Sequence, residues 1–305
     1  ASLMDTIPIS TYTKPNFLPD DWSLWSEGSI SVSKVGDGGI SNNSSKETDS
    51  QSIAFGFDKK INDTDLLGFA VQYGLSDTDV GNDGTGIDSE SLSLSIYRTK
   101  PFSNNNFMQG LIGFGFIESD SVRKNSGNTL TGSRNGNQLF GSINYGKTFG
   151  QGEFNATPIV RLDLGYTELD SYTETGTDAL SYSKQTFESA LGSIGLEIND
   201  LIKFSDNSFK PFGIFEYSLD FSNSSDVKMN YVSDTSTTYT YTQGVSSTHL
   251  ASSEIGFNFE AKDNLKLTSS YKRIQGNKSE RTDSLRFGFN YRSMRETDYS
   301  LNIGG

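Results

Sequence analysis

The chain has 305 residues, net charge −13, 33% hydrophobic residues, no cysteine and one histidine. The lack of cysteine removes disulfides, thiolate nucleophiles and zinc–thiolate sites, and the acidic balance argues against a nucleic-acid partner, which needs a basic patch. No run approaches the ~20 apolar residues of a membrane helix, which excludes helical spans and leaves spanning strands open.

The apolar content is low for a soluble domain of this length. Disorder is a poor explanation, because 21 Phe and 14 Tyr sit in segments where apolar residues occupy every second position. Residues 1–21 carry Pro8, Pro15 and Pro19 without a helical period and read as an extended lead-in. A first strand is predicted over about 22–35, with Trp22, Leu24, Ile30 and Val32 on one face and Glu27, Ser29, Ser31 and Ser33 on the other. A second, about 51–59, turns Ile53, Phe55 and Phe57 outward. A third, about 66–76, sets Leu67, Phe69, Val71 and Tyr73 against Gly68, Ala70, Gln72 and Gly74. The fourth, about 90–100, shows Leu92, Leu94 and Ile96; the fifth, about 106–122, is rich in Phe and Gly and ambiguous in facing.

The sixth (137–149) shows Leu139, Ile143 and Tyr145. The seventh (154–172) sets Val160, Leu162, Leu164 and Tyr166 against Arg161 and Asp163; the eighth spans 185–198. The ninth (209–222) sets Phe215, Tyr217, Leu219 and Phe221 against Glu216 and Asp220. The tenth (249–260) sets Ile255, Phe257 and Phe259 against Glu254, Asn258 and Glu260. The eleventh (264–274) has Leu265, Leu267 and Tyr271 against Lys266, Thr268, Ser270 and Lys272. The twelfth (284–292) has Leu285, Phe287, Phe289 and Tyr291 against Arg286, Asn290 and Arg292.

Connections after odd-numbered strands are long (36–50, 77–89, 123–136, 223–248) and those after even-numbered strands mostly short (60–65, 101–105, 150–153, 261–263). Outer-membrane barrels have this rhythm, with long external loops, short periplasmic turns and an even strand count. A soluble β-sandwich also alternates, turning its apolar faces inward. The count of twelve, the loop rhythm and the modest apolar total favour an all-β, 12-stranded antiparallel up-and-down transmembrane barrel over 22–292, with both barrel ends periplasmic and a C-terminal tail at 293–305.

The wording of the strands resembles the autotransporter β-domain, the translocator of type V secretion. The similar stretches are Leu24-Trp25-Ser26-Glu27-Gly28, Phe55-Gly56-Phe57-Asp58, Leu66 to Ala70 followed by Tyr73-Gly74, Gly81 to Ser89, Ser95-Ile96-Tyr97, Pro158 to Tyr166, Tyr172 with Glu174 to Gly176, and Leu285 to Arg292. The resemblance implies an outer-membrane barrel that helps an N-terminal passenger to the surface, is assembled by the barrel-assembly machinery, acts as a monomer and performs no catalysis itself. Two features depart from the family pattern. Residues 1–21 lack the helical character of the usual pore linker, and the chain continues for 13 residues beyond Arg292 through alternating Tyr299, Leu301 and Ile303. The alternative function is a stand-alone porin or adhesin barrel. Ala1 opens without signal-peptide character, so the sequence reads as a mature chain or a piece of a longer precursor.

Inward parity nominates Glu27, Arg161, Asp163, Glu216, Glu254, Lys266, Lys272 and Arg286 as pore-lining residues, with opposite signs on neighbouring strands expected to pair. The carboxylates of Asp77 to Gly84 with Asp88 and Glu90 suit calcium in type, but their spacing is not that of an EF-hand and a solvated loop is the simpler reading. No metal or other cofactor is expected. His249 has no nucleophile motif around it and reads as a surface residue. Trp22, Trp25, Tyr73, Tyr97, Tyr145, Tyr166 and Tyr291 are candidates for interfacial aromatic girdles.

Overall fold

The alternating segments become strands with one greasy face, and the chain satisfies their backbone groups by pairing each with the next. The computed structural model describes residues 22–36, 45–62, 65–102, 105–151, 153–205, 207–245, 247–261, 265–292 and 298–304. Twelve long strands form the wall: β1 Trp22–Val35, β2 Lys46–Lys60, β3 Leu66–Val80, β4 Thr85–Pro101, β5 Asn106–Asn125, β6 Asn128–Lys147, β7 Phe154–Leu169, β8 Gln185–Asn199, β9 Asn207–Asp220, β10 His249–Ala261, β11 Leu265–Gly276 and β12 Glu280–Arg292. Each is antiparallel to its sequence neighbour. The wall closes where β1 pairs with β12, from Gly28 opposite Phe287 to Val35 opposite Glu280. Closure leaves no open sheet edge to face lipid.

Outward apolar residues are exposed all round this wall. Ile112 on β5, Val160 on β7, Ile194 on β8 and Ile255 on β10 are 58%, 59%, 62% and 61% exposed. A sandwich would bury one such face, so the exposure on every side belongs to a barrel with its greasy surface outside. On β4 the outward residues run Asp88, Glu90, Leu92, Leu94, Ile96, Arg98, Lys100. The apolar stretch between Glu90 and Arg98 covers about 26 Å along the strand, or about 20 Å of height at the usual tilt of roughly 40°. Facing on β5, ambiguous in sequence, resolves as Ile112, Phe114 and Phe116 outward and Leu111, Gly113 and Gly115 inward.

Several expected boundaries move. Residues 77–89 and 123–136 are largely strand, since β3 to β6 extend well past the apolar band. The β5–β6 hairpin turns at Ser126 and Gly127, with φ of 49° and 84°; two positive-φ residues give the two-residue loop whose twist matches that of the strands. The connections after β7 and β9 fold into a separate four-stranded sheet, in the order Asp234–Gln243, Ser225–Tyr231, Leu180–Tyr182, Tyr172–Thr173. Residues 1–21 lie outside the described residues. In the 293–305 segment, a short strand Asp298–Gly304 pairs with β12, from Arg292 opposite Asp298 to Arg286 opposite Gly304.

Candidate functional site

The inner face of the wall divides into two chemically different halves. Strands β1 to β6 turn small side chains inward, including Ala54, Gly56, Gly68, Ala70, Ser95 and Gly113. Against them pack Trp25, Tyr97, Leu111 and Phe140. The indole Nε1–H of Trp25 donates to the Tyr97 hydroxyl at 2.6 Å, and their rings meet edge to face. Both rings need glycine beneath them: a Cβ at Gly56 would collide with the Trp25 indole, and one at Gly68 with the Tyr97 ring. Trp25 and Tyr97 are therefore not girdle residues. Tyr97 shares the parity of Ser93 and Ser95, and Trp25 that of Glu27; that parity is the sequence signal for the interior. Tyr145 and Tyr166 do face outward and are half exposed, as does Tyr73. The side chains of Trp22 and Tyr291 lie outside the described residues.

Strands β7 to β12, with the adjoining β1, carry the charge. Arg286 on β12 meets Glu27 on β1 at 3.1 Å and Glu254 on β10 at 3.6 Å. Arg161 on β7 meets Asp163 at 2.9 Å and Glu216 on β9 at 3.2 Å. Lys272 on β11 approaches the same Glu216 at 4.0 Å. Seven of the eight nominated residues thus form two linked groups; the side chain of Lys266 lies outside the described residues, although its backbone pairs opposite Glu260 and Asn290.

Neighbouring-strand pairing was expected, yet three of these contacts skip a strand. Arg286 reaches Glu254 across β11, Arg161 reaches Glu216 across β8, and Lys272 reaches Glu216 across β10. Two strand spacings are about 10 Å, within the joint span of a long cation and a glutamate. The residues being crossed are small: Ser270 stands directly beside Arg286, Ser193 directly beside Arg161, and Ser252 directly beside Glu216. The cations reach across these serines, so each of the four carboxylates has a cation within 4.0 Å. Ser142 and Ser252 add hydroxyl donors to Asp163 and Glu216.

At the long-connection end the four-stranded sheet packs on the inner side of the extended β5–β6 hairpin, since Arg123, Leu130 and Arg134 keep inward parity there. Arg123 donates a two-pronged pair of bonds to Glu174, Nε to Oε1 at 2.8 Å and Nη2 to Oε2 at 2.6 Å. Glu174 also accepts from the Leu180 N–H and the Tyr182 hydroxyl. Burial alone would raise the Glu174 carboxyl, but these donors hold it below its usual range. The Arg134 guanidinium lies over the Tyr172 ring, which stacks on Tyr182. Leu130, Leu180, Ala179 and Val227 are buried beneath.

The outside of the same end is acidic. Asp49, Asp77, Asp88 and Asp120 stand directly opposite one another on β2, β3, β4 and β5, a single lateral row of carboxylates. Asp77 and Asp79, weighed above as loop ligands, are strand residues in this register. Among the described residues no group of three or more His, Asp or Glu side chains is disposed to hold a metal ion. His249 is exposed, its Nδ1 hydrogen-bonded to the Tyr217 hydroxyl at 2.5 Å.

Residues 24–272 match the family model described as the autotransporter β-domain. No curated protein matches the sequence. Among solved structures, the chain is similar to the translocator domain of the autotransporter NalP from Neisseria meningitidis, with TM-score 0.69, 16% identity, 91% of this chain and 90% of that one covered. It is also similar to the β domain of the Bordetella autotransporter BrkA, with TM-score 0.64, 13% identity and 89% and 99% covered. A third similar structure is the transport unit of AIDA-I from Escherichia coli, with TM-score 0.56, 13% identity and 92% of each chain covered.

Proposed function

Because the chain belongs to the autotransporter β-domain family and is an outer-membrane translocator barrel for an N-terminal passenger, we propose that residues 22–292 form a passive conduit whose polar half is lined by Glu27, Arg161, Asp163, Glu216, Glu254, Lys266, Lys272 and Arg286. The observation that carries this reading is the belt of paired charges on the inner face. A threading polypeptide meets a hydrated wall whose carboxylates are already paired, so segments of either sign pass without being held. Residues 1–21 are the lead-in from the passenger side, and 293–305 the C-terminal tail, of which Asp298–Gly304 lies against the last strand. The family match favours this over a stand-alone porin or adhesin.

In this reading the long-connection end is extracellular and the short turns and both barrel ends are periplasmic. The barrel works as a monomer, is inserted by the barrel-assembly machinery, and uses no cofactor and no catalytic residue; His249 is a surface group. The test fuses a protease-sensitive reporter ahead of residue 1 and treats intact cells with protease. Cleavage of the reporter, with the barrel still shifting on boiling in a gel, is the expected result. A reporter that stays protected inside cells while the barrel is folded would overturn the conduit.

A further inference from the structure

One edge of β12 is claimed twice. β11 takes the other edge, from Arg281 to Tyr291. On the seam edge β1 pairs with the first part of β12, from Val35 opposite Glu280 to Gly28 opposite Phe287, and stops there. Continued residue by residue, that register would set Glu27 opposite Gly288, Ser26 opposite Phe289 and Ser23 opposite Arg292. Those positions are held by the C-terminal strand: Asn302 lies opposite Gly288, Leu301 opposite Phe289 and Asp298 opposite Arg292. This strand repeats the alternation of the wall in phase. Tyr299, Leu301 and Ile303 fall opposite Tyr291, Phe289 and Phe287, and Ser300 and Asn302 opposite Asn290 and Gly288. It also lies against β1. Among the described residues, 22–27 of β1 are therefore laddered to β2 alone, from Trp22 opposite Lys59 to Glu27 opposite Ala54. Ser26, which shares its face with Phe55 and Ile30, is 4% exposed, whereas Ile30 is 47% exposed. The outer side of β1 is covered where its pairing with β12 has stopped.

We propose that residues 298–302 are an intramolecular latch. They occupy the acceptor edge 288–292 of β12 and keep residues 23–27 of β1 from zipping onto it; their release lets β1 take that edge. Both closures satisfy the same backbone groups of β12, so they differ little in ladder hydrogen bonds and can exchange. Either one leaves no bare edge to recruit a foreign strand. Residues 23–27 join the lead-in to the wall, so the latch sets whether the passenger-side junction is zipped into the seam. In the latched state that junction is fastened by Trp25 to Tyr97 and by Glu27 to Arg286. The purpose of the latch rests on the translocator reading; its geometry rests on the strand register.

The experiment is cysteine cross-linking of the full chain refolded in detergent, with the gel shift on boiling read on the same samples. The chain contains no cysteine, so each introduced pair is read alone. Directly opposed residues of antiparallel strands lie about 4.5–5.5 Å apart between Cα atoms, within disulfide range. Phe289→Cys with Leu301→Cys should oxidise readily, and Phe289→Cys with Ser26→Cys should not. Adding Leu301→Pro and Asn302→Pro to the second pair should make it oxidise. Successive residues point their N–H groups to opposite edges, so one of the two prolines must strip a bond to β12. Tyr299→Ser with Leu301→Ser and Ile303→Ser keeps every backbone donor; it is a second way to release the tail and should have the same effect. Three results would overturn the latch: failure of the first pair to oxidise, oxidation of the second pair with the tail unaltered, or failure of the second pair after both releases in a barrel that still shifts on boiling. A chain that no longer shifts after either release makes the tail an obligate part of the wall and overturns the latch equally. Pairs that behave as expected in a barrel that carries no reporter to the surface would sink the translocator reading alone.

Discussion

Replacing Leu94 by arginine places a charge at the mid-height of the apolar band. Leu94 is outward on β4 and 53% exposed, four residues from Glu90 on one side and four from Arg98 on the other, or about 13 Å along the strand from each polar border. An arginine at the bilayer midplane of such a barrel costs roughly 2–4 kcal/mol, falling to about 0–1 near the interfaces. Leu92→Arg, two residues from Glu90, should therefore cost distinctly less than Leu94→Arg. Phe287→Arg, outward on β12 and four residues beyond Asp283, should resemble Leu94→Arg. Ser93→Arg turns into the interior between Gln72 and Gly115 and should stay within about 1 kcal/mol of the parent, as interior substitutions of polar wall residues do. The assay is urea titration of the barrel refolded in lipid vesicles, read by the gel shift on boiling. Equal midpoints for Leu94→Arg, Phe287→Arg and Ser93→Arg would refute the facing assignment; equal midpoints for Leu92→Arg and Leu94→Arg would refute the placement of the band.

Arg286→Gln leaves the buried Glu27 and Glu254 beside a neutral amide, and should cost roughly 3 kcal/mol in the same titration, because both carboxylates lose this cation; an unchanged midpoint would mean that other groups or water already satisfy them. The Glu174 carboxyl is held low where the four-stranded sheet meets the β5–β6 hairpin, so its contribution is present above the ordinary carboxylate range and is lost as pH falls through the folded value. Proteolysis within residues 170–184 should accelerate in acid, and Glu174→Gln should be fast at every pH. Asp77 behaves in the opposite sense: desolvation and then Asp88, Asp79 and Asp49 raise it, so the folded state holds its proton to higher pH and the outer hairpins gain stability as pH falls. Asp88→Asn should slow hydrogen exchange at the ends of β3 and β4 at neutral pH and change little in acid; slower exchange at both pH values would argue against repulsion as the cause.

Much of the architecture was legible in the residues. A period of two over twelve segments determined the strands, their order and nearly every facing, because a strand offers a side chain only two directions. Leu94, Val160 and Ile255 could be turned outward from their neighbours alone. The strand ends were less legible. The segments 77–89 and 123–136 look like polar loops because, once strands rise above the lipid band, their outward positions no longer need to be apolar; β3 to β6 continue there with Asp and Ser on the outside.

Only the tertiary structure decided which partners meet. Sequence places Arg286 and Glu254 on one face, but the contact depends on register, which sets Ser270 between them as a low point for the guanidinium to cross. The same holds for Tyr97, whose nearness to a strand end suggests the membrane interface; the bare Gly68 beside it on the neighbouring strand gives the ring its place inside. The four-stranded sheet was not legible for a related reason. Its four short strands come from two connections, residues 170–184 and 221–248, that are apart in sequence, and their pairing exists only once β7 to β10 stand side by side in the wall. Periodicity is a property of a single strand and survives in sequence, whereas register, strand-skipping contacts and loop pairing arise between strands, where only the closed barrel specifies them.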